Sequence, residues 1–213
     1  MKVSIRQVVV LALVFVAGAW LGLSSPVTAG AGVSAAAEGD ASTLQGLLAR
    51  EAIREQIYNY GRGIDRVDKQ LTMDVWHPDG TADYGGQTVN GRGWVEGLFK
   101  GLPNMTASAH HLLESRIEVD GDTAVSETIA NTSIVNPLEE RSVQGVRVGS
   151  TGISVSLIRG RYADRWSKKD GHWALDHRAY IEDFRTVQEI PGAPRLGRGT
   201  RDREDPSYAI VPF

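Results

Sequence analysis

Residues 58–70 read YNYGRGIDRVDKQ, and one carboxylate in this stretch is out of place for a surface helix. On a helix, positions four apart share a face, so Ile57, Gly61 and Asp65 form one row. Ile57 and Gly61 make that row inward-facing, so Asp65 points at the interior or its rim. Asp65 also falls near the helix C-terminus, where the macrodipole disfavours negative charge. A carboxylate under both penalties needs a partner: a histidine, an arginine or several hydrogen bonds. With a histidine as that partner, the pair would do acid–base chemistry. The plainer alternative is a helix-end acid that swings to solvent or binds Arg62 or Arg66.

The histidines that could answer Asp65 are few. His110 and His111 stand in tandem in the β-rich run ASAHHLLESRIEV. In a strand one of them faces in and the other out. Strict alternation with Leu113, Ile117 and Val119 puts His111 on the apolar face, and a β-bulge reverses the choice. His77 precedes the Pro78 turn and His172 sits in a turn, so both read as structural. His177 lies between Asp176 and Arg178, and only one face of that strand can look inward.

Other chemistries lack their patterns. There is no cysteine, no His-x-His and no HExxH, so the spacing of metal ligands is missing. No GxSxG elbow supports a serine nucleophile. The two Gly-Arg-Gly triplets at 61–63 and 91–93 do not fit a phosphate-binding loop.

The elements that must position these residues follow from periodicity. STLQGLLAREAIREQIYNYGRGID reads as a helix, capped by Ser42 or Thr43, with Leu47, Leu48, Ile53, Ile57, Tyr60, Gly61 and Ile64 inward. A second short helix covers DKQLTMDVWH and stops at the PDG turn. TADYGG reads as a short strand, and GRGWVEGLFKGL as a third helix with Trp94, Val95, Leu98 and Leu102 inward. After Pro103 the period switches. Two strands joined by Asp120-Gly121-Asp122 and two joined by Lys169-Asp170-Gly171 make a four-strand antiparallel meander. Helices grouped before strands predict an α+β fold, a cone-shaped, mostly antiparallel sheet with about three helices on one face. Its open mouth is a natural pocket for a small molecule.

The ends differ from this middle. Lys2 and Arg6, then the apolar run Val8–Leu23, then SSPVTAG give the order of a secretory signal, cut near Ala29. The other reading is an uncleaved anchor over residues 7–23, the one route by which a membrane would be a partner. Either reading places the folded part outside the cytoplasm, exported to a periplasm or secreted. Residues 30–42 read as a flexible linker, 43–187 as the catalytic or binding domain, and 188–213 as a tail without periodicity. Tyr208, Ile210, Val211 and Phe213 of the tail could dock on the domain or on a second subunit; the alternative is a disordered tail. Without cysteine there is no disulfide framework, so the core must stabilise itself. With 23 basic and 26 acidic residues and no Lys/Arg block, nothing favours a nucleic-acid partner.

The stretches from Ala49 to Gly86, Ala107 to Ala124 and Tyr162 to Phe184 together resemble the SnoaL-like branch of the nuclear transport factor 2-like superfamily. Within it they are most similar to the lyases: scytalone dehydratase, hexachlorocyclohexane dehydrochlorinase and bile acid 7α-dehydratase. The resemblance implies an Asp–His pair with no metal and no cofactor. The family's aspartate falls on Asp65 and its histidine on His110, which implies the bulge. Its arginine falls on Arg178, and its tyrosines on Tyr60 and Tyr84. Scytalone dehydratase's second pocket histidine has no counterpart between Asn131 and Ile134, and its serine and asparagine have none near Gly160 and Tyr162. The implied activity is therefore dehydratase- or dehydrohalogenase-type lyase chemistry on a small apolar cyclic substrate, without that enzyme's own substrate. The alternatives are a non-catalytic small-molecule-binding protein of the same fold, or an isomerase or epoxide hydrolase. The resemblance also implies a homo-oligomer, a trimer in the nearest enzymes.

Overall fold

The computed structural model describes residues 44–138, 141–143, 146–148, 152–192 and 197–211. The leader, the linker and the proposed caps Ser42 and Thr43 lie outside the described residues. Helix α1 spans Leu44–Asp65, and its apolar spacing of four, three and four buries Ile53, Ile57, Tyr60 and Ile64. Leu47 and Leu48 depart from the expectation: they are 57% and 55% exposed, because the inward row at this end of α1 runs through Gly46, Ala49 and Ile53 instead.

At its other end α1 stops abruptly. The Asp68 amide donates to the Gly63 carbonyl (2.7 Å) and the Val67 amide to the Ile64 carbonyl (3.3 Å), a Schellman closure. It places Val67 at φ 53°, where glycine is usual. Asp68 then caps α2, Lys69–Asp74, by accepting from the Leu71 amide (3.1 Å). The second helix is thus shorter than expected. The chain is already extended through the PDG segment as β1, Trp76–Asp83. β1 lies parallel to the last strand, and the register shifts between Trp76 and Thr81, which absorbs Pro78. A short β2, Thr88–Asn90, precedes α3, Gly91–Gly101, whose Val95 is buried; Leu102 follows, also buried.

The expected meander is present as β3 (Ala107–Asp120), β4 (Thr123–Pro137), β7 (Gly152–Lys169) and β8 (His172–Pro191). Asp170 and Gly171, both at positive φ, make the tight β7–β8 turn. A small separate hairpin, β5 (Arg141–Val143) with β6 (Val146–Val148), comes between β4 and β7. The main sheet runs β2-β1-β8-β7-β4-β3, antiparallel except for the β1–β8 pair. The fold is α+β, as the grouping of elements predicts. Its core lies between α1 and the concave face of the sheet, around Tyr60, Trp76, Tyr162 and Trp166.

β8 runs on past residue 187, the expected domain edge, to Pro191. Residues 197–211 return to the C-terminal end of α1. Arg203 pairs with Asp68 (2.5 Å), Arg66 with Asp205 (3.5 Å), and the Arg62 and Arg203 guanidiniums each lie 4.8 Å from the Tyr208 ring centre. Ile210 and Val211 are exposed, so among the described residues the tail is held by charge and by Tyr208; Phe213 lies outside the described residues. No described helix is long and apolar enough to cross a membrane.

Candidate active site

β3 settles which of the tandem histidines faces inward. Leu112 pairs with Ala130 but Ser115 with Thr128, so three steps on β3 match two on β4. That one-residue bulge at Leu113 and Glu114 switches the parity of the strand. Ser108, His110 and Leu112 face inward before it, and Ser115, Ile117 and Val119 after it. His111 is exposed and lines an outer groove with Arg62 and Arg66.

His110 meets Asp65 twice. Its Nδ1 lies 2.8 Å from Asp65 Oδ1, and its backbone amide donates to Oδ2 at 2.7 Å. Ser108 Oγ donates to Oδ1 at 2.9 Å. Both side chains are largely sealed from water, Asp65 14% and His110 9% exposed. Burial works to raise the Asp65 pKa. The ring hydrogen bond and charge of His110, its amide and Ser108 outweigh burial and hold the carboxyl below the usual aspartate value. Gly61 makes the approach possible: a Cβ there would stand 3.1 Å from His110 Cβ and 2.9 Å from Leu112 Cδ1.

Whenever the ring is neutral, an ionised Asp65 accepting from Nδ1 keeps the proton there and leaves a lone pair on Nε2. Nε2 has no hydrogen bond among the described residues. His110 lines a cavity of about 340 Å³, bounded by aliphatic side chains such as Ile64, Leu98 and Ile158 and by the rings of Tyr60, Tyr84, Trp94, Tyr162 and Tyr180. Tyr84 stacks on Trp94, with centroids 4.2 Å apart and planes 12° apart.

Tyr60 and Tyr84 share a hydrogen bond of 2.5 Å between hydroxyls. One proton is used in that bond, so the pair keeps one hydroxyl proton to offer. Burial first, then the neighbouring Tyr60, pushes the Tyr84 pKa well above the usual phenol value, so Tyr84 is a donor and not a base.

Arg178 does not stand where the sequence reading placed it. It is 0% exposed and does not line the cavity. Its Nε and Nη2 donate to the two Asp164 oxygens at 2.8 and 2.7 Å, with both side chains sealed from water. The guanidinium carbon lies 3.9 Å from the Tyr162 ring centre and 4.4 Å from that of Tyr60. Burial opposes the charge on Arg178, but Asp164 and the tyrosines keep its pKa well above the ordinary arginine value. Arg178 therefore braces the cavity wall from behind. His77 and His172 are structural, bonded to the Ser167 and Asp74 carbonyls (3.0 and 3.2 Å). His177 faces away and bonds Thr81 (2.8 Å).

Among the described residues no cluster of His, Cys, Asp and Glu could hold a metal ion. Sequence reasoning missed Ser108 and Arg201. Ser108 has the signal of lying two positions from His110 on one strand face. Arg201 has none: it sits in the aperiodic tail, yet its Nε donates to the Asp65 carbonyl at 3.4 Å.

A model of the SnoaL-like domain matches residues 45–179. No curated protein matches the chain significantly. The fold is shared with several solved structures. One is described as a putative scytalone dehydratase from Novosphingobium aromaticivorans (18% identity, 73% of this chain and 97% of that one, TM-score 0.56). Two others are a hexachlorocyclohexane dehydrochlorinase LinA type 2 (16%, 72% and 97%, TM-score 0.55) and LinA type 3 from Novosphingobium barchaimii (17%, 71% and 96%, TM-score 0.54).

Proposed function

This chain belongs to the SnoaL-like family, and from that premise we propose that it is a cofactor-independent lyase acting on a small, apolar, cyclic substrate. The observation that carries the reading is the 2.8 Å contact between Asp65 Oδ1 and His110 Nδ1 at the wall of an apolar cavity. His110 Nε2 takes a proton from carbon. The electron pair of the C–H bond becomes the second bond of a new double bond, while a C–O or C–halide bond on the neighbouring carbon breaks. A departing hydroxyl takes the proton from His110 and leaves as water. A departing halide leaves as the anion, and His110 returns its proton to solvent.

Asp65 holds the ring in the productive tautomer and faces the imidazolium with a fixed counter-charge. The hydroxyl proton left over in the Tyr60–Tyr84 pair would serve a developing oxyanion or the leaving group. General base catalysis of this kind contributes about 10²–10⁴-fold, and orientation in a dry cavity adds to it. Arg178 acts through the tyrosine rings and not by contact. Export, from the order of the leader, and a homo-oligomeric state, from the resemblance, belong to the same reading.

The test is a panel of hydroxylated and halogenated cyclic compounds, followed by mass spectrometry for loss of water or of hydrogen halide. The wild-type chain converts at least one of them, and His110→Ala loses about 10²–10⁴-fold in rate. If the wild type binds members of the panel but converts none, and Asp65→Asn and His110→Ala only weaken that binding, the chain is a binding protein.

A further inference from the structure

We propose that Arg201, from the C-terminal tail, is a positioning residue for the Asp65–His110 pair. The two partners come from separate elements, Asp65 from the last residue of α1 and His110 from β3. Arg201 bonds the end of the first and the segment that leads into the second. Its Nε and Nη2 donate to the carbonyls of Asp65 (3.4 Å) and Ile64 (3.2 Å) at the end of α1. Its Nη1 donates to the carbonyls of Leu102 (2.6 Å) and Met105 (3.2 Å), in the turn that feeds β3. β3 begins at Ala107, and Ser108 and His110 follow at once. One planar guanidinium therefore spans the gap across which the carboxylate must reach the imidazole.

The chemistry suits arginine alone. A helix leaves its last carbonyls without partners inside the helix, and a cation there also answers the negative end of the macrodipole. Asp65 sits at that unfavourable end, so a fixed positive charge beside its own carbonyl offsets part of the penalty. Five donors in a rigid fork can meet four carbonyls on two segments, whereas a lysine ammonium has three donors and no fixed plane. Arg201 is in turn held by the strap around it. The Thr200 amide and the Ser207 amide both donate to Asp205 (2.9 and 3.0 Å), and Asp205 pairs with Arg66.

The proposal rests on reading Asp65 and His110 as a working pair, but its test needs no substrate. In ¹⁵N-labelled protein the ring nitrogens of His110, assigned by their loss in His110→Gln, report which nitrogen carries the proton. At a pH where the ring is neutral, the wild type carries the ring proton on Nδ1. Arg201→Met and Arg201→Lys lose that single form and show a mixture shifted toward the Nε2–H tautomer that a free histidine prefers. Arg54→Ala, which removes an exposed guanidinium paired with Glu51 on α1, keeps the wild-type pattern. Arg201 variants that are folded by near-ultraviolet circular dichroism and have unchanged His110 nitrogens overturn the proposal. Failure of both variants to fold also counts against it, since Arg201 would then be a folding determinant. A panel without turnover, by contrast, sinks the lyase reading and leaves these spectra as they are.

Discussion

Asp65 and His110 grip each other through both ring and backbone: Oδ1 meets Nδ1 at 2.8 Å and Oδ2 accepts the His110 amide at 2.7 Å. The second contact ties the carboxylate to the strand itself, so the imidazole is oriented with respect to the main chain that carries it. Asp65→Asn keeps the shape but lets the amide NH₂ face Nδ1, which reverses the preferred tautomer and puts the proton on Nε2. Turnover is expected to fall at least 10²-fold with little change in ligand affinity, read from kcat and from calorimetric Kd.

Gly61 separates activity from stability. A methyl at this position gains about 1 kcal/mol of helix propensity. It must also displace His110 Cβ by a few tenths of an ångström, while the end of Leu112 can swing aside. Gly61→Ala is expected to unfold within about 1 kcal/mol of wild type by urea titration. Its turnover should nonetheless drop about ten-fold, because the base is displaced from its working position.

The Asp164–Arg178 pair tests whether Arg178 works by contact or by bracing. Removing one partner of a sealed ion pair costs about 3–5 kcal/mol, whereas exchanging both for apolar groups of similar volume is near neutral. Arg178→Met is expected to show the large loss in denaturant unfolding. The double variant Asp164→Leu with Arg178→Met should recover most of it, together with any turnover lost. Recovered stability without recovered turnover would mean that the guanidinium itself, beyond its ion pair, is needed for turnover.

Acid should release the tail before the fold is lost. The Asp205 carboxyl, accepting from the Ser207 hydroxyl and amide and from the Thr200 amide, has its pKa lowered from 3.8 to about 2. A depressed carboxylate contributes fully above 3.8, and the contribution disappears as pH falls toward 2. Hydrogen exchange of amides 197–211 should accelerate through that window. Asp65 is also held below the ordinary aspartate value, so the variant is the control. In Asp205→Asn these amides exchange fast already at neutral pH and show no acid step.

Much of this arrangement can be read in the sequence, and the failures have physical causes. The inward row of Ile57, Gly61 and Asp65 follows from helical period alone. The choice of His110 does not, because the bulge at Leu113 and Glu114 is a property of two paired strands. The partner of Arg178 was out of reach for a similar reason. Counting back from the β7–β8 turn, Lys169 faces His172, which would set Ala163 opposite Arg178. The register shift between Arg165 and Trp166 brings Asp164 there instead. Arg201 was out of reach because its bond to Asp65 links residues 136 apart, through a segment with no period to follow.

The most direct test of the central claim is the transfer of the carbon-bound proton to His110. For a compound that the wild type converts, replacing the hydrogen at the reacting carbon by deuterium should slow kcat/KM severalfold. His110→Ala should bind the same compound with Kd within about two-fold and convert it at least 10²-fold more slowly. An absent isotope effect in single-turnover measurements, together with a His110→Ala variant that keeps wild-type turnover, would contradict the account.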